Sequence, residues 1–215
     1  MKSIYEFLLK SKTTTSTQGM DYIDLGLPSG LLWAKCNIGA NEPTEYGDYF
    51  MWGSTTPDTD KQCNWEHAPF NDGKSQFNNE YFESIKNKVC PNNILASEYD
   101  AATAMLGPNW RMPTFDDFRE LINNTSNKWL SHYNGAAVSG QLFTSRINTN
   151  ELFIPFSGTR CNSTVYNMHA YAELWSSSLH TVNIYASWYI YVERVRRCTM
   201  EYNPHCYGCC IRSVS

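Results

Sequence analysis

The sequence predicts an α+β fold. Stretches with strand character are short, two segments combine helix-start chemistry with apolar periodicity, and turn signals separate them. Those signals are Pro28-Ser29-Gly30, Asn71-Asp72-Gly73, Gly107-Pro108-Asn109 and Asn134-Gly135.

The elements follow in chain order. Residues 1–20 read as an N-terminal tail, because 11–18 are polar and β-branched with no apolar period. The globular unit is expected over 21–215, with no internal repeat and no later linker. Residues 31–34, 48–52, 152–156 and 187–193 have strand character. The first helix is expected over 97–106, with Ser97 as N-cap and Asp100 three residues on. The second starts at Thr114, whose hydroxyl can accept from the backbone N–H of Asp117, while the Asp117 carboxylate favours the positive end of the helix. Phe115, Phe118 and Ile122 then share one face, which reads as core packing. Trp33, Trp52, Trp110, Trp175 and Trp188 are expected in or near the core.

Composition bounds the function classes. Hydrophobic residues make up 42% and charged residues 18%, enough to build a core and too apolar for a disordered chain. The formal net charge is −4, so nothing argues for a nucleic-acid partner. No apolar run approaches the roughly 18–20 residues that span a bilayer, so no membrane insertion is expected. The apolar patch in the first ten residues is interrupted by Glu6, and no secretory signal is visible. Fourteen Tyr and seven Trp suit both cores and binding surfaces, and composition alone does not separate the two.

Six motifs, in order, carry a resemblance to a known family. They are Tyr22-Ile23-Asp24-Leu25-Gly26-Leu27-Pro28-Ser29-Gly30-Leu31-Leu32-Trp33-Ala34; Glu45-Tyr46-Gly47-Asp48-Tyr49-Phe50-Met51-Trp52-Gly53; Trp110-Arg111-Met112-Pro113-Thr114; Ile154-Pro155-Phe156-Ser157-Gly158-Thr159-Arg160; Leu174-Trp175-Ser176-Ser177-Ser178; and Gly208 followed by Ile211-Arg212-Ser213-Val214. Together they resemble a gut-bacterial family with a C-type-lectin-like fold, related to the formylglycine-generating enzyme. Some members are variable proteins of diversity-generating retroelements, whose gene 3′ end is mutated at adenines so that the encoded residues form a varied ligand-binding surface. The resemblance implies a C-type-lectin-like fold with two helices and short antiparallel strands. It also implies a binding protein rather than an enzyme, with no cofactor, displayed outside the cell or on a phage particle and meeting a protein or surface ligand on another cell or host.

The residues of the C-terminal segment give this expectation detail. Residues 187–193 alternate. Trp188, Ile190 and Val192 are expected on a buried face, and Ser187, Tyr189, Tyr191 and Glu193 on an open one with two Tyr rings side by side. From Arg194 onward the mixture has no secondary-structure period. Under the resemblance, randomised adenines in AAC codons yield Tyr, Ser, Cys, Arg or His but never Trp, Lys, Glu, Gln or Met. Tyr189, Tyr191, Arg196, Arg197, Cys198, His205, Cys206, Tyr207 and Cys209 all belong to the reachable set. The expected ligand-binding surface is Tyr185, Ser187, Tyr189, Tyr191, Glu193, Arg196, Arg197, Tyr202, His205, Cys206, Tyr207 and Cys209, with Tyr185 and Glu193 at its rim. Tyr and Arg are the side chains that most often anchor interfaces.

Other readings stay open at this level. The terminal segment also fits an ordinary hairpin with a fixed surface, in a structural or cell-surface relative. Cys206-x-x-Cys209, with Cys198, Cys210 and His205 nearby, is half of a zinc-binding pattern and lacks a second half. Relatedness to the formylglycine-generating enzyme raises a copper-dependent oxidase built on late cysteines. Disulfide connectivity among the eight cysteines cannot be deduced from spacing. Adjacent Cys209 and Cys210 should point to opposite sides of an extended chain.

Overall fold

A computed structural model of the chain describes residues 14–15, 21–195 and 198–215. It is a mixed α+β architecture with few helices and several small antiparallel sheets. The first sheet joins β1 (Thr14–Thr15), β2 (Asp21–Asp24) and β3 (Leu32–Ala34). The segment expected to be a plain tail therefore contributes a two-residue strand, with Thr14 opposite Tyr22. Among the described residues three α-helices follow: α1 (Asn79–Val89), α2 (Ala101–Leu106) and α3 (Phe115–Asn124). The second sheet is β4 (Thr125–Leu130), β5 (Gly140–Ser145) and β6 (Glu151–Pro155). A hairpin of β7 (Thr159–Cys161) and β8 (Thr164–Tyr166) leads to the last sheet, β9 (Tyr171–Leu179), β10 (Ala186–Glu193) and β11 (Cys198–Pro204), in the order β11-β10-β9.

The helix starts show where local chemistry decides structure. Thr114 caps α3 as expected: its hydroxyl accepts from the Asp117 N–H at 3.2 Å, and the Asp117 carboxylate accepts from the Thr114 N–H at 2.7 Å. Phe118 and Leu121 are its fully buried residues, with Phe115 and Ile122 half-buried. The helix expected over 97–106 is split. Ser97–Tyr99 is a 3-10 turn, and Asp100 rather than Ser97 caps α2, accepting from the Thr103 N–H at 3.0 Å. The Asp100 carboxylate also accepts from the Met112 N–H at 2.9 Å, which ties the helix start to the following segment. α1 had no expected counterpart.

The terminal sheet lies between two cores. Ala172, Leu174, Ile190 and Val192 face a cluster with Trp33, Phe118, Phe143 and Phe156. Trp175, Leu179 and Tyr189 face the other, with Trp52, Phe82 and Ala101. The chain's last residues thread between the elements. Phe50 and Cys209 exchange backbone hydrogen bonds at 3.0 and 3.1 Å, Arg160 and Gly208 do so at 2.7 and 2.8 Å, and Val214 pairs with Arg111 at 3.0 Å. Residues 48–52 are thus not a strand of a sheet but an extended segment bridged to the C-terminal run. Cys209 falls in the second core and Cys210 in the first, on opposite sides as the extended geometry requires.

Candidate binding face of the terminal sheet

β10 is the central strand of its sheet. Tyr191 stands opposite Glu173 of β9 and Thr199 of β11, and Glu193 stands opposite Tyr171. Alternation puts Tyr189, Tyr191 and Glu193 on one face with Tyr171, Glu173 and Trp175. Toward Ser187 this face is closed by α1, α2 and the loops between them. Toward Glu193 it opens.

The open end is built around Glu173. The residue is only 5% exposed. Oε2 accepts from Asn203 Nδ2 at 2.6 Å, and the Cys209 thiol lies 3.7 Å away. Burial holds the Glu173 carboxyl up at about 7 from its ordinary 4.5, against the opposing pull of hydrogen bonds from Thr159, Cys209, Tyr189 and Asn203. Around it the phenols of Tyr171, Tyr189, Tyr191 and Tyr207 are all raised, by burial first and in part by the Glu173 charge. Tyr171 and Tyr191 pack with ring centroids 5.1 Å apart. The Tyr191 hydroxyl donates to Glu193 Oε2 at 3.2 Å, and Asn167 Nδ2 donates to the Tyr171 hydroxyl at 2.9 Å. The arrangement offers ring faces, phenol hydroxyls and a carboxyl floor. The Cys209 thiol is pushed well above its ordinary value by burial and then by Glu173, so it is not an activated nucleophile.

The twelve expected residues do not form one surface. Tyr191, Glu193 and Tyr207 are half-exposed; Tyr191 stands opposite Glu173 and Glu193 opposite Tyr171, while Tyr207 packs against the small cluster of Met51, Cys63 and Cys206. Tyr185 is exposed but packs edge-on to Phe77 at 6.2 Å, away from that end. Tyr202 is exposed on the opposite face, against His180 at 4.3 Å and Trp188 at 6.0 Å. Arg196 and Arg197 lie outside the described residues.

Six expectations are corrected. Ser187 is fully buried where the sheet passes under the second core, and a bulge sits between it and Tyr189. Tyr189 is buried edge-on to Trp175 at 6.1 Å, so two Tyr rings do not stand side by side on β10. His205 is buried and stacked on Trp52 at 4.5 Å, with Phe82 and Phe77 around it. Cys206 is buried in a small cluster with Met51, Cys63 and Ala68. Cys209 is fully buried beside Glu173 and Thr159. Trp188, placed by alternation on the buried face, is only half-buried, between Phe115 and His180. The cause is common to the first five: the terminal sheet is packed on both faces over most of its length, and the C-terminal run is interior. Gly208 shows how tight that run is, since a Cβ there would collide with Cys63 Sγ.

Sequence reasoning missed Tyr171, Glu173, Thr159 and Asn203. A signal existed. Tyr171-Ala172-Glu173-Leu174-Trp175 alternates as residues 187–193 do, and the same rule places Tyr171 and Glu173 on one face. Among the described residues, no three His, Cys, Asp or Glu side chains are grouped so as to hold a metal ion. Compared with known proteins, the chain matches no family model, no curated protein and no solved structure.

Proposed function

We propose that the chain is a ligand-binding protein of C-type-lectin-like type, and that the open end of the terminal sheet is its binding face. The observation that carries this is the packing of half-exposed Tyr171 and Tyr191 beside the buried Glu173 on a sheet packed from both sides. A rigid scaffold with half-exposed tyrosines is how a recognition surface limits ordering cost, because each ring gives large contact area for two rotatable bonds. The partner is a protein or surface ligand on another cell, met by a chain displayed outside the cell or on a phage particle, and recognition involves no covalent step and no cofactor. The variable positions of a retroelement-diversified face are then Tyr191 and Tyr207, whose side chains reach solvent, whereas Tyr202 is on the opposite face of the sheet. His205, Cys206 and Cys209 are interior positions that randomisation would damage. Their burial favours a second reading, in which the terminal segment is fixed and the face serves one constant ligand.

An array of bacterial and host surface glycans and proteins tests the binding claim. The full chain is expected to capture a ligand that the Tyr171→Ala/Tyr191→Ala double variant loses by more than about 30-fold, the scale of an interface anchor. A ligand held equally by the double variant would place binding elsewhere.

A further inference from the structure

A second feature lies at the turn that follows β11. Between β3 and α1 the described residues form no helix and no strand of a sheet. A connection this long without regular structure has to be fastened by its own side chains. Its later part folds over residues 204–208. Phe77 meets His205 edge-on with ring centroids 6.0 Å apart, and Met51, Cys63 and Ala68 close on Cys206 to form a cluster of four buried residues. Trp65 and Tyr207 pack against that cluster.

Two of the four residues carry thiols, and they come from distant parts of the chain. A cluster this small makes its members neighbours. Cys63 Sγ also lies against Gly208, where a Cβ would collide with it, and Gly208 is two residues after Cys206. The Cys63 carbonyl accepts from the Asn162 N–H at 2.8 Å, and Arg160 and Gly208 exchange backbone hydrogen bonds. Arg160 and Asn162 are alternate residues, so Cys63 and Gly208 follow one another along the same edge of β7. Cys161, the other thiol near Cys206, belongs to β7 itself, is half-buried and stands outside the cluster. The Cys63 thiol donates to Asp58 Oδ2 at 3.0 Å. Without that donor the carboxylate keeps the Gln62 N–H at 2.8 Å and Arg160 Nη1 at 3.2 Å, so joining the two sulfurs strands no buried charge.

We propose that Cys63 and Cys206 are a disulfide-forming pair, closed as the chain folds in an oxidising compartment. Both stand as thiols in the structure. Oxidised glutathione is a sufficient oxidant. One cysteine thiolate attacks it, forming a mixed disulfide and releasing one glutathione thiolate. The second cysteine thiolate attacks the protein sulfur of that mixed disulfide, forming the Sγ–Sγ bond and releasing the second glutathione. Two protons leave the cysteines, and two electrons pass to glutathione. Burial pushes both thiols up, Cys206 to about 12, so the folded chain holds them protonated and the exchange belongs to folding. The bridge ties the irregular connection to the C-terminal run across a long loop, where a cross-link removes the most freedom from the unfolded chain. It needs the oxidising surroundings of the proposed display outside the cell, and it does not depend on the tyrosine face.

Refolding the reduced, denatured full chain in a mixture of reduced and oxidised glutathione tests this. The product is alkylated in denaturant without reductant, cut with chymotrypsin and mapped by mass spectrometry. Cleavage after Tyr207 separates Cys206 from Cys209. The expected result is a peptide holding Cys63 linked to one holding Cys206, with Cys161 alkylated. Adding reductant should lower the thermal midpoint by on the order of 5–15 °C, the scale of one native disulfide in a chain of this size. The Cys161→Ser chain should keep both the linkage and the shift. The Cys63→Ala/Cys206→Ala chain should show a midpoint indifferent to reductant. Alkylation of both Cys63 and Cys206, a bridge from Cys161 to either of them, or a wild-type midpoint that ignores reductant would each overturn the proposal. The reagent is a redox buffer and not a ligand, so failure of the binding proposal leaves this result untouched.

Discussion

Glu173 and His205 are two buried ionisable side chains with opposite pH signatures. Burial raises Glu173 from 4.5 to about 7, so the folded chain binds more protons than the unfolded one between those values. Its contribution is favourable below pH 4.5 and is lost as pH rises through 7. Glu173→Gln keeps the acceptor for Asn203 without the charge. It should raise stability at pH 8 by on the order of 2 kcal/mol, with the difference from wild type vanishing near pH 4.5, as read by urea denaturation at the two pH values. A variant less stable than wild type at pH 8 would show that the carboxylate is solvated rather than confined. Burial depresses His205 from 6.5 to about 3, with the Ala186 backbone opposing. The unfolded chain then binds the extra proton, so stability is present above pH 6.5 and lost as pH falls toward 3. His205→Phe, which can keep the stack on Trp52, should flatten that acid loss by on the order of 1–3 kcal/mol across pH 6.5 to 4. An unchanged acid limb would mean that other groups set it.

At the scale of elements, the α3 cap was legible because it is local. Thr114 and Asp117 are three residues apart, and nothing distant is needed to close the box. Thr114→Ala should cost about 1 kcal/mol, within the 0.5–2 range for lost caps, measured as a shift in the thermal midpoint. No shift would mean that packing of Phe118 and Leu121 alone fixes the helix start. The strands over 32–34, 151–155 and 186–193 were also legible, and Ile190 and Val192 are buried as their alternation required, whereas β4, β5, β7, β8, β9 and β11 were not read and 48–52 is no strand of a sheet. What alternation could not give is the state of the second face. Residues 187–193 read as a sheet with water on one side, but α1, unseen in the sequence, helps build a core over Ser187 and Tyr189. Asp100 was placed three residues into a helix that it in fact begins, because its second role, holding the Met112 N–H, depends on a tertiary neighbour.

At the scale of the whole molecule, the C-terminal run is a structural spine rather than a surface. It pairs with Phe50, Arg160, Arg111 and Leu32 in turn, and its Arg212 is fully buried, donating to Asn37 Oδ1 at 2.9 Å and the Lys35 carbonyl at 3.0 Å. This explains why a segment with no secondary-structure period looked like free surface: its residues answer to many partners at once, each distant in sequence. It also divides the terminal segment into positions that can vary and positions that cannot. Sequencing the 3′ end of this gene across a natural population tests that division and the proposed function together. Substitutions are expected to concentrate in the codons of Tyr191 and Tyr207, with those of Ile190, His205, Cys209 and Arg212 constant. Uniform sequence at the two tyrosines, or variation spread equally over the buried positions, would contradict the proposed function.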